Sequence, residues 1–161
     1  MTDKTLNDLF HATLKDVYFA ERQILKALPK MARAADSEEL RKAFLTHREE
    51  TEGQIERLTQ VFDILGKRAQ GKSCEAIKGI LEEGEEVAED FEGAEALDDG
   101  LIAAAQAVEH YEIARYGALK AWADRLGMKD AARLLGETLE EEKKTDALLS
   151  GLARTANAEA A

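Results

Sequence analysis

Glu109 and Glu112 stand three residues apart in the helix-forming run Ala103 to Leu119, AAAQAVEHYEIARYGAL, and both fall on its apolar side. At about 100° per residue, Leu101, Ala105, Val108, Leu119 and Leu126 gather on one face, with Glu112 near its middle and Glu109 at its edge. A carboxylate turned toward a helix-packing core is costly unless it is hydrogen-bonded, paired or bound to a metal. The useful question is therefore whether other segments bring matching polar groups to the same place.

Three other segments do. Glu21 lies inside the stripe of Leu6, Phe10, Leu14, Val17, Ile24, Leu28 and Met31. His47, Thr51 and Gln54 interrupt the stripe of Leu40, Phe44, Ile55, Leu58 and Phe62, and Glu50 sits at its edge, so His47, Glu50 and Gln54 share one helical surface. Glu142 is near the centre of the stripe Ala131, Leu135, Leu139, Leu149 and Leu152, with Asp146 toward one edge. Glu141 takes the place of Glu142 if that helix is turned by one residue. Glu21 precedes Glu50 by 29 positions and Glu112 precedes Glu142 by 30, so two similar hairpins place these groups at similar heights. The strings VYFAE and VEHYE repeat the pattern weakly between the first and third long segments.

Several carboxylates within a few ångströms cannot all stay ionised without a cation, because like charges and desolvation both raise their pKa values. A pair of divalent ions resolves the conflict. Oxygen ligands with a single imidazole suit iron or manganese better than zinc. The candidate ligands are Glu21, His47, Glu50, Gln54, Glu109, Glu112, Glu142 and Asp146. A plainer alternative holds for any one of them, in which the stem packs and the head reaches water; Glu50, Glu109 and Asp146, at stripe edges, suit it best. Recurrence on all four segments favours a shared site. His11 and His110 project off the stripes and are expected at solvent.

The elements that must position these groups are four long helices, at about 6–34, 37–65, 99–126 and 129–153, and a shorter acidic one at about 74–90. Thr5 with Asp8 reads as a capping box, Asp36-Ser37 as a start signal, and Gly66 and Gly127 as stops. The connections are short, long, short, and more than thirty residues between the second and third long helices suit a crossover running the height of a bundle. The expected fold is a single all-α domain over residues 1–161, a four-helix bundle with one long crossover.

Composition narrows the function. The 161 residues carry a net charge of −11, from 22 basic and 33 acidic side chains, which repels nucleic acid and anionic membranes. Cys74 is the sole cysteine, excluding an internal disulfide and a thiolate metal cluster. Neither a signal-peptide pattern nor an apolar run of membrane-spanning length is visible, and the expected location is the cytoplasm. Phe19, Phe91 and Trp122 lie off or beside the main stripes; Phe19 points well away from Glu21, and the expectation is that such residues pack a second copy.

The strings HREETEGQIERLTQVF, QAVEHYEIARYG and ETLEEEKKTDALL resemble the family of the bacterial stress proteins YciE and YciF, in the ferritin-like superfamily, over essentially the whole chain. The resemblance implies a ferritin-like bundle, a rubrerythrin-like di-metal carboxylate centre and a homodimer. The superfamily pattern of Glu on the first and third helices falls on Glu21 and Glu112, with Glu109 as a second carboxylate. Its Glu-x-x-His on the second and fourth helices is met by the reversed His47-x-x-Glu50, and by Glu142 with Thr145 or Asp146 and no histidine. The favoured function is a stress-response protein holding two iron or manganese ions inside the bundle, and reaction of such a centre with dioxygen or peroxide is one of three classes in competition. Two other classes compete: metal storage by a large oligomer, and a non-enzymatic interaction protein whose inward acids are protonated or hydrogen-bonded to Tyr18, Tyr111 or Gln54.

Overall fold

Helix formation starts where the sequence places its cap. Thr5 Oγ1 accepts from the Asp8 amide at 3.3 Å while the Asp8 carboxylate accepts from the Thr5 amide at 2.8 Å, satisfying two backbone donors that a helix start leaves orphaned. In the computed structural model, which describes residues 3–159 and their side chains through residue 154, five helices follow: α1 Leu6–Ala34, α2 Glu38–Ile64, α3 Glu75–Asp90, α4 Leu97–Arg125 and α5 Lys129–Glu159. The described residues contain no strand, as expected. Ser37 caps α2, accepting from the Leu40 amide at 3.2 Å. Gly66 and Gly127 stop α2 and α4 at φ of 63° and 71°, a region open to glycine at little cost. Side chains beyond Arg154 lie outside the described residues, and the backbone of α5 runs on to Glu159, past the expected end near residue 153.

Two apolar clusters fix how the helices run. One joins Ile24 and Leu28 of α1, Leu40 and Phe44 of α2, Leu101 and Ile102 of α4, and Leu149 of α5. The other joins Phe10 and Leu14, Leu58 and Phe62, Leu119 and Ala123, and Ala131 and Leu135 of the same four helices. The late part of α1 thus meets the early parts of α2 and α4 and the late part of α5. Consequently α1 and α2 are antiparallel, as are α4 and α5, while α2 and α4 are parallel. This is the single-crossover bundle that the loop lengths imply. The interval between the clusters is where the inward polar groups lie.

The crossover is fastened rather than loose. Helix α3 packs on both α1 and α4, and the Lys72 amide donates to the Lys15 carbonyl at 3.1 Å. Helix α4 comes close to α3 at Gly100, where a Cβ would stand 2.6 Å from Val87 Cγ1. Phe19 is covered here from within the same chain: Gly71 lies over its backbone and Lys78 Nζ sits 5.7 Å from its ring centre. The outward-pointing Phe19 expected to meet a second copy therefore meets the crossover instead. His11, expected at solvent, is half-buried and packs edge-on to Phe62 with ring centres 6.1 Å apart. Among the described residues no helix is long and apolar enough to cross a membrane.

The turn between α1 and α2 is held by a partner distant in sequence. Asp98, in the first turn of α4, accepts from the Asp36 and Ser37 amides at 2.8 and 2.7 Å. Arg41 donates to the terminal α1 carbonyls of Ala32 and Ala35 at 3.2 and 2.8 Å. The Asp98 bonds tie the first hairpin to the second at one end of the bundle, and the Arg41 bonds close the first hairpin on itself. Asp98→Ala strips two backbone donors of their acceptor and is expected to lower the unfolding free energy by about 1–3 kcal/mol in a urea titration, with helicity in the native baseline unchanged.

Candidate metal centre

Between the two apolar clusters, Glu21 from α1, His47 from α2, Glu109 and Glu112 from α4, and Glu142 from α5 are all buried, none more than 4% exposed. One ligand atom from each of His47, Glu109, Glu112 and Glu142 can be chosen so that all lie within 4.8 Å of one another, the separation a bound ion would span. His47 Nε2 is 2.8 Å from Glu109 Oε1 and 4.0 Å from Glu142 Oε2. The shorter contact lies off the N–H direction, so neither ring nitrogen has an aligned acceptor. Glu21 sits alongside: its Oε1 accepts from the buried Tyr116 hydroxyl and its Oε2 has no donor.

In total nine buried side-chain nitrogen and oxygen atoms lack a hydrogen-bond partner among the described residues, eight of them on these five groups and the ninth on Gln54. Such atoms are rare in folded proteins, since each forfeits its hydration without return. Both oxygens of Glu112 and both of Glu142 are in this state, and what lies beside them is each other. Acceptors facing acceptors attract only if a proton or a cation stands between them.

Electrostatics give the same picture. Burial, then the Glu142 charge, pushes the Glu21 carboxyl up to about 8. Glu112 and Glu142 are raised well above the usual carboxyl range by burial and by neighbouring carboxylates. Burial alone would lower the His47 pKa; Glu109, Glu50 and Glu142 reverse the effect and hold it well above the ordinary imidazole value. Without a cation, the layer keeps protons that a solvated chain would release.

The sequence-derived candidates divide by position. His47, Glu109, Glu112 and Glu142 come together, with Glu21 beside them. Glu142, not Glu141, turns inward: Glu141 faces Arg57, which donates to its Oε2 at 2.9 Å and to Thr138 Oγ1 at 3.1 Å. Gln54 is buried, but its amide nitrogen donates to Glu141 at 3.0 Å, so this group serves the flank of the layer. Glu50 stands at the rim, 38% exposed, with its carboxylate 3.6 Å from His47 Nδ1. Asp146 is not gathered with the others. It accepts from Gln106 at 3.3 Å and lies 3.1 Å from His110 Nε2 on the outer seam of α4 and α5, which also gives the exposed His110 a partner.

The groups missed from the sequence are Tyr116 and the Arg57–Glu141 pair. Tyr116 follows Glu112 by four residues and so shares its face, a signal that was available. The tyrosines considered instead are engaged elsewhere: Tyr18 stacks edge-on to Phe62, and the Tyr111 hydroxyl is 3.1 Å from Cys74 Sγ.

Fold and site together define a ferritin-like helical bundle with a buried histidine–carboxylate layer that could hold a metal ion. Comparison with known proteins gives the family. Residues 5–161 match the family described as "Domain of unknown function (DUF892)", and the chain belongs to that family. It is 51% identical to protein YciF of Escherichia coli strain K12 over 154 residues, covering 95% of this chain and 93% of that one. The crystal structure of the E. coli stress protein YciF matches with a TM-score of 0.92 and 50% identity over 96% of this chain and 98% of the other. YcfI from Rhodopseudomonas palustris matches at 0.89 and 48% identity, covering 91% and 94% of the two chains. A Xanthomonas campestris protein at 20% identity and a TM-score of 0.73, covering 94% and 92%, shares the fold alone.

The protonated layer has a consequence for stability. A carboxyl raised from 4.5 to about 8 on folding means that the folded chain binds a proton the unfolded chain has released between those values. Stability then falls as pH rises through that window. The raised His47 acts in the same direction, its contribution being lost as pH climbs through its folded value. The metal-free protein should therefore melt highest near about pH 5 and lower toward about pH 8. A melting temperature that rises across that range in chelator-treated protein would contradict the burial of neutral carboxyls.

Proposed function

We propose that this protein binds a dinuclear iron or manganese centre within the bundle and acts in a stress response, the metal reacting with dioxygen or peroxide. The observation that carries this reading is the set of unpartnered buried oxygen and nitrogen atoms contributed by four helices to one place. Acids without donors are unfavourable as isolated ions and become ligands when a divalent cation is present. His47, Glu109, Glu112 and Glu142 would hold the metal, with Glu21 completing the layer. One imidazole among carboxylates is a hard, oxygen-rich donor set that suits iron or manganese. When bound, a redox-active metal would supply electrons to dioxygen or peroxide.

The remaining residues have definable roles in this reading. Tyr116 orients Glu21 by donating to one oxygen and leaving the other free. Arg57 and Gln54 hold Glu141 away from the layer, so that its charge is spent on the flank. Thr51 returns its hydroxyl to the His47 carbonyl at 2.8 Å, removing a donor that would otherwise compete for the acids. Glu50, at the rim and beside His47, offers an incoming cation its first carboxylate.

The test is metal content. Protein purified without chelator should carry about two iron or manganese ions per chain, and Glu112→Ala should lose most of them. A metal-free protein whose stability is unmoved by added manganese would refute the reading and leave the interaction-protein alternative.

A homodimer belongs to the same proposal. With Phe19 covered, the exposed large apolar side chains that support it include Phe91 at 46%, Leu45 at 44% and Leu148 at 51%. Multi-angle light scattering should give twice the chain mass, and Leu148→Lys should halve it. A monomer throughout the micromolar range would remove this part of the reading.

A further inference from the structure

Helix α3 does more than span the bundle: between it, α1 and α4 runs a cleft of about 50 Å³. Ala27, Met31, Leu81 and Val108 wall this cleft and also wall a second, smaller cavity of about 10 Å³ that reaches His47 and Glu109. The two spaces therefore adjoin across these four side chains. The lining is almost wholly apolar in both. At the outer end stand Lys30 and Glu85, an ion pair at 3.2 Å whose side chains are 63% and 56% exposed. Pairs so exposed cost little to break.

We propose that this cleft is the entry route for dioxygen, bringing it from solvent beneath the crossover helix to the His47–Glu109 edge of the centre. The inference rests on the metal reading above and names the co-substrate for it. An apolar passage of this size excludes a hydrated cation, which would shed its water without replacement ligands. Hydrogen peroxide faces the same objection, since its hydroxyl groups find no partner along the walls. Dioxygen carries no charge and gives up no hydrogen bonds on entering. Apolar cavities of sufficient size stay dry and take up apolar guests such as xenon. Cations have a separate, polar approach at Glu50, which stands beside His47 at the surface. The close seating of α3 also fits this role. Gly84 is buried against Ala104, and this small-residue contact, next to the cleft, sets how near the crossover lies to α4.

Two measurements test the route, one of which needs no metal. In metal-free protein under xenon pressure, methyl resonances of Leu81, Val108 and Met31 should shift, while those of the distal cluster such as Leu135 remain in place. Absence of those shifts overturns the proposal. In iron-loaded protein, Ala27→Phe fills the wall common to both cavities and should slow oxidation of the bound ferrous ion by dioxygen several-fold, with iron content and the rate with peroxide unchanged. Leu81→Ala, which opens the junction, should speed the dioxygen reaction. Leu81→Trp serves as the blocking variant if Ala27→Phe melts appreciably below the parent. An unchanged dioxygen rate in a folded blocking variant overturns the route, and equal slowing of both oxidants overturns its selectivity. Protein that seats xenon but takes no iron refutes the metal reading itself and removes the destination of the route.

Discussion

The structure depends on a desolvation problem placed at its own mid-height. Four glutamates and a histidine are withdrawn from water into a single layer, where ionised groups of like sign repel and lose hydration together. Protons ease the conflict only in part, because an acid that keeps its proton still presents an oxygen without a donor. A divalent cation eases it fully, converting repelling acceptors into ligands. The apolar clusters above and below make the layer possible. They supply the burial that holds four helices together despite an unfavourable centre.

Position in the layer follows from the elements rather than from the side chains alone. A Glu at mid-length in each hairpin meets its counterpart only if both hairpins share a height, and Asp98 binding the α1–α2 turn fixes that height at one end. The crossover then serves two purposes. It makes α2 and α4 parallel, which brings the two-fold arrangement of acids together, and it covers α1 and α4 with a further helix while leaving an apolar gap beneath. Stability and access are in this way properties of the same packing.

Much of this was legible in the sequence because helical periodicity reports burial directly. The stripes located Glu21, His47, Glu112 and Glu142, and the loop lengths gave the crossover topology. What escaped was the set of choices made by tertiary contact. Glu141 and Glu142 differ by one step of helical rotation, and Arg57 and Gln54, reaching from α2, settle which turns outward. Asp146 has the right spacing from Glu142, but Gln106 and His110 on α4 draw it to the outer seam. Phe19 looked unpartnered because a crossover with weak periodicity gives no indication of which residue it will cover. Tyr116 was masked by its own class: an aromatic on a helix stripe reads as core, and its hydroxyl partner lies 95 residues away in α1.

The central claim is that the buried layer exchanges protons for a cation. Calorimetric titration of manganese into metal-free protein, run near neutral pH in buffers of differing ionisation heat, measures that exchange directly. Saturable binding at about two ions per chain with a net release of protons is expected, because protons held by Glu21, Glu112, Glu142 and His47 must leave as ligands form. Absence of binding, or binding with no proton released, would contradict it.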